Sequence, residues 1–398
     1  MTAPLKNMLR PKAEAPKPER SKLEDFSPAL AARLPSGVVE AVDGALPILN
    51  RLRPLRFIAI ALLLGAIALP LGPAQDEILI FTGYFALAAL GLNVVVGLAG
   101  LLDLGYVAFL MIGAYATAFV TESSTAVHPF IVHPLLALPV AVGAAMITGI
   151  VLGTPTLRLR GDYLAIVTLG FHEIVRQTAK NLEIVGAARG VTGIPSPDFT
   201  IPGTETEITF GVLSPQNFWF IIVAFIIAAL FMIGRLKDSR IGRAWEAIRE
   251  DEIAAAAMGV PVVKMKLYAF SIGASTSGLA GWTLATKVGF INPDTFPLLS
   301  SILVLCAVVI GGIGSSFGAL VGAAIVFGLP ELMRDLGFET IFGFDVETGR
   351  IAIFGILLVI LMIFRPGGLV SSARRRAELT SGGSDIAGQS TTAAVAET

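Results

Sequence analysis

The sequence predicts an all-α fold, a polytopic transmembrane helix bundle of about ten spans with both termini cytoplasmic. Three observations carry this. Only 15% of the 398 residues are charged and 54% are hydrophobic, with a mean hydropathy of +0.77, whereas a soluble chain runs nearer ~25% charged. The apolar residues fall in continuous runs rather than in alternation, which disfavours a β-barrel. The cations segregate to alternate connections between those runs.

In chain order, Met1–Asn50 is rich in Lys, Pro and Ala and reads as a cytoplasmic N-terminal extension, partly disordered, with a surface helix near Pro28–Leu49. It is not a signal peptide, because the first apolar run starts too late. A transmembrane domain follows over residues 51–370. Its candidate spans are Phe57–Leu71, Ile78–Leu98, Leu104–Val120, Leu135–Leu152, Tyr163–Thr178, Phe218–Gly234, Leu267–Ala285, Leu298–Ile313, Phe317–Leu332 and Ile351–Phe364. Several are shorter than the ~20 residues a straight crossing needs, so two are open to a re-entrant or half-helix reading. Residues 371–398 form a disordered cytoplasmic tail.

Charge gives the spans a direction. With the N-terminus inside, the inner segments hold 23 Lys and Arg and the outer segments five: Lys180, Arg189, Lys287, Arg334 and Arg350. This is the positive-inside pattern. The densest inner group, seven cations, lies in the loop Arg235–Lys266.

Several function classes are disfavoured. A net charge of −1 leaves no basic excess for nucleic acid. Cys306 has no partner cysteine for an internal disulfide and no ligand-spaced neighbours for zinc, so it reads as a buried, inert thiol. Gly311-Gly-Ile-Gly-Ser-Ser-Phe-Gly318 is not a dinucleotide loop, since Phe317 stands where the third glycine belongs; no P-loop exists either. Gly314, Gly318 and Gly322 recur every four residues and read as a helix-packing row, as do Gly273, Ser277 and Gly281. His128 and His133 sit beside Pro129 and Pro134 in a short outer loop and read as loop residues; no metal site and no enzymatic constellation is suggested.

Three stretches carry information. Ser239–Gly259 reads as one short amphipathic helix: Ile241, Ala244, Trp245, Ile248, Ile253, Ala256 and Ala257 largely follow helical spacing, charges fill the rest, and Gly259-Val-Pro261 stops it. Glu250, Asp251 and Glu252 suit an anionic membrane surface poorly, which favours docking into a partner groove over lipid. The second stretch is Gly161–Arg176. At ~100° per residue, Asp162, Glu173 and Arg176 lie within about 60° on one helix, and Glu173 and Arg176 are placed to pair. Intramembrane charge either fixes packing or lines a pathway, and both readings stay open. The third is the outer segment Asn181–Gln216, which suits either a connection or a soluble partner.

These stretches together resemble the LivM-type permease subunit of branched-chain amino acid ABC importers. The resemblance rests on Ala88-Leu-Gly-Leu-Asn-Val-Val-Val-Gly-Leu-Ala-Gly100, Gly113-Ala-Tyr115, Gly161-Asp-Tyr-Leu-Ala-Ile-Val-Thr-Leu-Gly170 and Gly190-Val-Thr-Gly-Ile-Pro195. It continues through Arg243–Ala255, Gly278-Leu-Ala-Gly281, the Gly311–Gly318 text, Leu329-Pro-Glu331 and Phe364-Arg-Pro-Gly-Gly-Leu369. It implies a permease for branched-chain or other neutral amino acids, with relatives that take acidic amino acids, amides or urea. Implied partners are a homologous second permease (LivH-like), two ABC ATPase subunits and a periplasmic substrate-binding protein, in the bacterial inner membrane. The chain itself would bind no cofactor, ATP being hydrolysed by its partners. The loop would be the coupling helix, with Arg240, Arg243, Trp245, Arg249, Glu250, Asp251, Glu252 and Gly259 as its ATPase-coupling residues. Asn93, Asp162, Thr168, Glu173 and Arg176 are the candidates for the pathway or an internal ion pair. Two departures stand out. Ile253 occupies the Glu position of the Glu-Ala-Ala-x-x-x-Gly signature of ABC importers, while Ala254, Ala255 and Gly259 match; and the extension before Arg51 is long. The rival readings are an ion-coupled secondary transporter, with only Asp162 and Glu173 available for a midplane ion site, and a membrane-embedded enzyme, for which no nucleophile is evident.

Overall fold

The structure, a computed structural model, describes residues 72–121, 132–156, 162–200, 207–208, 210, 215–336, 340–341, 344–345 and 368–370, with further positions at 64, 355–356, 358–360 and 363. These fall in one compact unit, Ala59–Thr398. The extension 1–50, the tail 371–398, His128, all of the span Phe57–Leu71 but residue 64, and eight of the fourteen residues of Ile351–Phe364 lie outside the described residues.

The first helix described, α1 (Pro73–Leu92), starts on a proline at its first turn and runs on as a π-helical segment, Asn93–Leu98, which Gly100 ends with a φ of +71°. Residues 99–106 are not helical, and α2 (Val107–Thr121) begins beyond them. At 15 residues, α2 is about 22 Å long, less than the ~30 Å apolar thickness of a bilayer. The expected span Leu104–Val120 is therefore a short helix that begins at Val107 after a non-helical lead-in. Next come α3 (Pro134–Thr156), α4 (Asp162–Asn181) and α5 (Pro215–Lys237). The loop helices α6 (Arg240–Glu250) and α7 (Glu252–Ala257) precede α8 (Val262–Val288). Finally α9 (Leu298–Gly311) turns into α10 (Ser316–Ala323), which continues through a π-segment into α11 (Leu329–Asp335).

Side-chain contacts sort the helix ends onto two faces. On one, Arg249 donates to Gly97 O, Lys237 to Gly314 O, and the amides of Leu369 and Val370 to Ile310 O and Gly311 O. On the other, Lys287 pairs with Glu77, Gln75 bonds Asp335, and Trp282 donates to Pro134 O. A two-residue antiparallel pairing of Val191–Thr192 with Phe290–Ile291 ties the long connection after α4 to this second, distal face. The order of ends follows the alternation expected from the sequence for the spans between 72 and 336.

At the centre of the unit α8 packs against α1, α2 and α3. Its small residues permit this: a methyl group at Gly278 would lie 2.6 Å from Ala145 Cβ, and one at Gly273 would lie 3.1 Å from Gly91 O. The facing stripe on α3 is Ala137, Ala141, Ala145 and Gly149, all buried, while Leu136, Ile147 and Val151 on its other side are exposed as lipid-facing residues would be. That stripe recurs every four residues.

Burial explains where the span list and the structure part. Among the described residues, five helical stretches are long and apolar enough to cross a membrane: Ala74–Leu98, Pro134–Thr156, Pro215–Lys237, Pro293–Gly311 and Ser316–Asp335. The expected spans Tyr163–Thr178 and Leu267–Ala285 are helices, α4 and α8, but fall short of that apolarity. In α8 the reason is its position, since a helix enclosed by protein needs small and hydroxyl residues for contact rather than long apolar ones for lipid. Apart from Ser277, its Thr and Ser hydroxyls bond main-chain carbonyls of the preceding turn, as Thr283 does with Leu279 O and Thr286 with Trp282 O.

Candidate functional site

The loop between α5 and α8 is two helices, not the single one its periodicity predicts. Asp251 breaks it, with extended backbone at φ −152°, and its carboxylate accepts from the amides of Ile253 and Ala254 to cap α7. Ser239 caps α6 in the same way through Ile241 N. An Asp that satisfies the orphan amides of a new helix start competes with continuing the old one, so the spacing rule failed there.

The break redirects the apolar residues. Trp245 and Ile248 are buried, and Trp245 Nε1 donates to Met265 O at 2.7 Å, fastening α6 to α8. Glu252 pairs with the nearly buried Lys266 at 2.8 Å and fastens α7 to the same helix. Ile253, Ala256 and Ala257, expected on the covered face, are instead uncovered: Ile253 is 66% exposed, and Met258, which ends α7, is 85% exposed. Arg240, Arg243, Glu250, Asp251 and Gly259 are exposed around them, and Gly259 makes the left-handed turn at φ +83° that Pro261 follows. The result is an apolar knob with a charged rim on a loop held firmly from behind. Arg249 does not join the rim; it is half-buried and bonds Gly97 O at 2.8 Å.

The glycine rows divide. Gly314 is not on a helix: it sits in the turn between α9 and α10 at φ +82°, so the expected row keeps only Gly318 and Gly322 on α10, with Gly311 of α9 facing Gly318 across the turn. A methyl group at Gly318 would meet Gly311 O at 2.6 Å, and one at Gly322 would overlap the Ala307 carbonyl. Gly273, Ser277 and Gly281 lie on α8 as expected, buried; a methyl group at Gly281 would overlap Leu110 O and lie 2.7 Å from Ala114 N.

The pathway candidates separate into two groups. Asn93 is fully buried, and its side-chain oxygen accepts from Gly314 N at 2.8 Å, pinning the π-segment of α1 to the α9–α10 turn. Thr168 is buried on α4, where its hydroxyl accepts from Leu104 N at 3.1 Å. Both hold backbone together. Glu173 and Arg176 lie further along α4, towards the distal face. They form a two-pronged pair, Arg176 Nη2 and Nε reaching the two Glu173 oxygens at 3.0 and 3.1 Å. Asp294, on the turn before α9, accepts from Arg176 at 3.1 Å and from Lys180 at 2.6 Å. The Asp162 backbone starts α4, but its side chain lies outside the described residues.

Asp103, Tyr106 and Asp294 are not among the residues expected from the sequence. Asp103 is fully buried in the lead-in to α2 and caps Gly105 N at 2.9 Å, while Tyr106 OH donates to Gly273 O. An Asp flanked by Leu102 and Leu104 was the available signal. Cys306 is buried and free, and His133 accepts from Leu135 N and bonds Asp198 O in the connections of the distal face.

The model of the family described as "Branched-chain amino acid transport system / permease component" matches residues 75–365. The chain is 37% identical over 366 residues to the high-affinity branched-chain amino acid transport system permease protein LivM of Escherichia coli K12, covering 87% of this chain and 81% of that one. It is 25% identical to the probable branched-chain amino acid transport permease protein LivM of Methanocaldococcus jannaschii, over 74% of this chain and 92% of the relative. It is 24% identical to the permease protein LivH of Escherichia coli K12, over 71% and 90%. No solved structure matches.

Proposed function

Because this chain belongs to the branched-chain amino acid transport permease family, we propose that it forms one half of the membrane pore of an ABC importer in the bacterial inner membrane. The other half is a homologous, LivH-like permease; two ATPase subunits bind on the face of α6 and α7, and a periplasmic binding protein delivers branched-chain or other neutral amino acids to the distal face. The chain itself is a multi-pass membrane permease and binds no ATP.

The observation that carries the reading is the form of the loop. Ile253 and Met258 stand uncovered on a segment whose other contacts, Trp245 to Met265 O and Glu252 to Lys266, run back into the bundle. An apolar knob with a charged rim suits a groove on a partner, and its firm backing suits force transfer. ATP-driven closure of the ATPases would shift α6 and α7, and α8 and α1 with them, exchanging outward-open and inward-open bundles. Support for α4 as the wall facing the second permease comes from its composition. It packs lightly, is too polar for a lipid span, and leaves Tyr163, Ile166 and Ile174 exposed beside the Glu173–Arg176–Asp294–Lys180 group.

Co-expression with the neighbouring gene products and purification through a tag on this chain tests the reading. The wild type is expected to carry ATPase subunits, and Met258→Asp to lose them while remaining in the membrane. A chain that never retains an ATPase subunit would sink the proposal.

A further inference from the structure

Arg249 is placed differently from the other charges of the loop. Arg240, Arg243 and Glu250 are exposed, whereas the Arg249 side chain turns back into the bundle, its stem against Gly100 and its guanidinium on Gly97 O at 2.8 Å. The reason lies in how α1 ends. The amide of Ala99 bonds Val94 O and that of Leu101 bonds Val95 O, so the Gly97 carbonyl closes no main-chain bond among the described residues. A helix end inside a bilayer leaves such carbonyls needing donors, and a cation there also suits the negative end of the helix dipole.

The same π-helical stretch carries a second link. Asn93 Oδ1 accepts from Gly314 N at 2.8 Å, and Gly97 lies so close to Gly314 that a methyl group on Gly97 would be 2.6 Å from its nitrogen. Lys237, at the end of α5, donates to Gly314 O at 3.2 Å. Loop helix α6, the π-segment of α1 and the α9–α10 turn thus meet through named polar bonds rather than apolar contact alone. A π-segment is a helix under local strain and a common place for functional bends.

We propose that Arg249 is a positioning residue of the transport cycle. It does not contact the ATPase; it acts as the strut that carries movement of the coupling loop into the π-helical end of α1 and, through Asn93 and Gly314, into the α9–α10 turn. This rests on the importer reading above and assigns to one residue a duty different from that of the exposed rim.

The test uses the full complex in lipid nanodiscs, with two readouts: ATPase subunits retained on purification, and the increase in ATP turnover caused by the binding protein loaded with leucine. Arg249→Gln is expected to keep the ATPase subunits and to lower the stimulated increase by about 2- to 30-fold, the range of typical coupling changes. Arg249→Lys, which keeps one cationic donor for the carbonyl, is expected to recover part of it, and Asn93→Ala to repeat the Arg249→Gln pattern. Loss of the ATPase subunits from Arg249→Gln, as for Met258→Asp, would make Arg249 a docking contact and overturn the strut. So would undiminished stimulation, or failure of both Arg249→Gln and Arg249→Lys to accumulate in the membrane, which would make it a folding anchor. Absence of ATPase subunits from the wild type would instead reject the importer reading itself.

Discussion

Replacing Gly281 by alanine tests whether the close approach of α8 to α2 is what holds the bundle together. The added methyl group would overlap the Leu110 carbonyl oxygen, lie 2.7 Å from Ala114 N and 3.1 Å from Gly113 C, where ordinary contact begins at 3.4 Å. All three atoms are backbone of one neighbouring helix, so no side chain can rotate aside; α2 and α8 must separate by more than half an ångström. Forcing extra volume into a packed core costs about 1–3 kcal/mol, against which alanine returns roughly 0.5–1 kcal/mol of helix propensity. Clashes with three backbone atoms place this site in the upper part of that cost, about 2–3 kcal/mol, so the net loss is about 1–2.5 kcal/mol, or roughly 2–10 °C in thermal midpoint by the scaling for globular chains. Gly143→Ala and Gly170→Ala are the controls: both glycines are helical and nothing lies within 4 Å of the added methyl, so each should hold or raise the midpoint. The measurement is the fraction of monodisperse protein remaining after heating in detergent. A Gly281→Ala midpoint equal to that of the two controls would refute the packing argument.

Two further perturbations follow from the ion pairs. Removing the Glu252 carboxylate (Glu252→Ala) strands Lys266, only 3% exposed at its side chain, and is expected to cost about 2–3 kcal/mol. Adding Lys266→Met should recover most of that loss in the same melting assay, and strictly additive losses would argue against a coupled pair. Exchanging Glu173 and Arg176 is not neutral, because a glutamate at 176 would face Asp294, now 3.1 Å from the Arg176 guanidinium. The exchange should lower stability by about 0.2–1 kcal/mol, the scale of exposed pairs, and Asp294→Asn should restore it. Uptake that stays lost after stability returns would place the pair on the pathway, and uptake that returns with it would leave the pair a fastening.

Much of the fold was legible because crossing a membrane is a local property of a chain. A run such as Phe218–Gly234 declares itself by length and apolarity, and the cations of Arg235–Lys266 by number. The α8 row Gly273, Ser277, Gly281 showed as small residues at helical spacing. The loop was harder. Its spacing suited a single helix, but the Asp251 carboxylate offered the backbone a competing bond, and the apolar residues beyond it came out uncovered. Gly314 matched a four-residue period by count alone, while its positive φ put it in a turn.

By itself the sequence determined that the chain is a membrane helix bundle, where most of its helices lie between 72 and 336, and that the Arg235–Lys266 loop presents a mixed apolar and charged surface, since each follows from residues near one another in the chain. Only the tertiary structure decided that α1 ends in a π-segment with an unclaimed carbonyl at Gly97, and that Arg249, 152 positions away in the sequence, supplies the donor. The physical reason is the demand a bilayer makes on backbone polarity. Each carbonyl left open at a helix end must find a donor, and which donor reaches it depends on how distant helices pack.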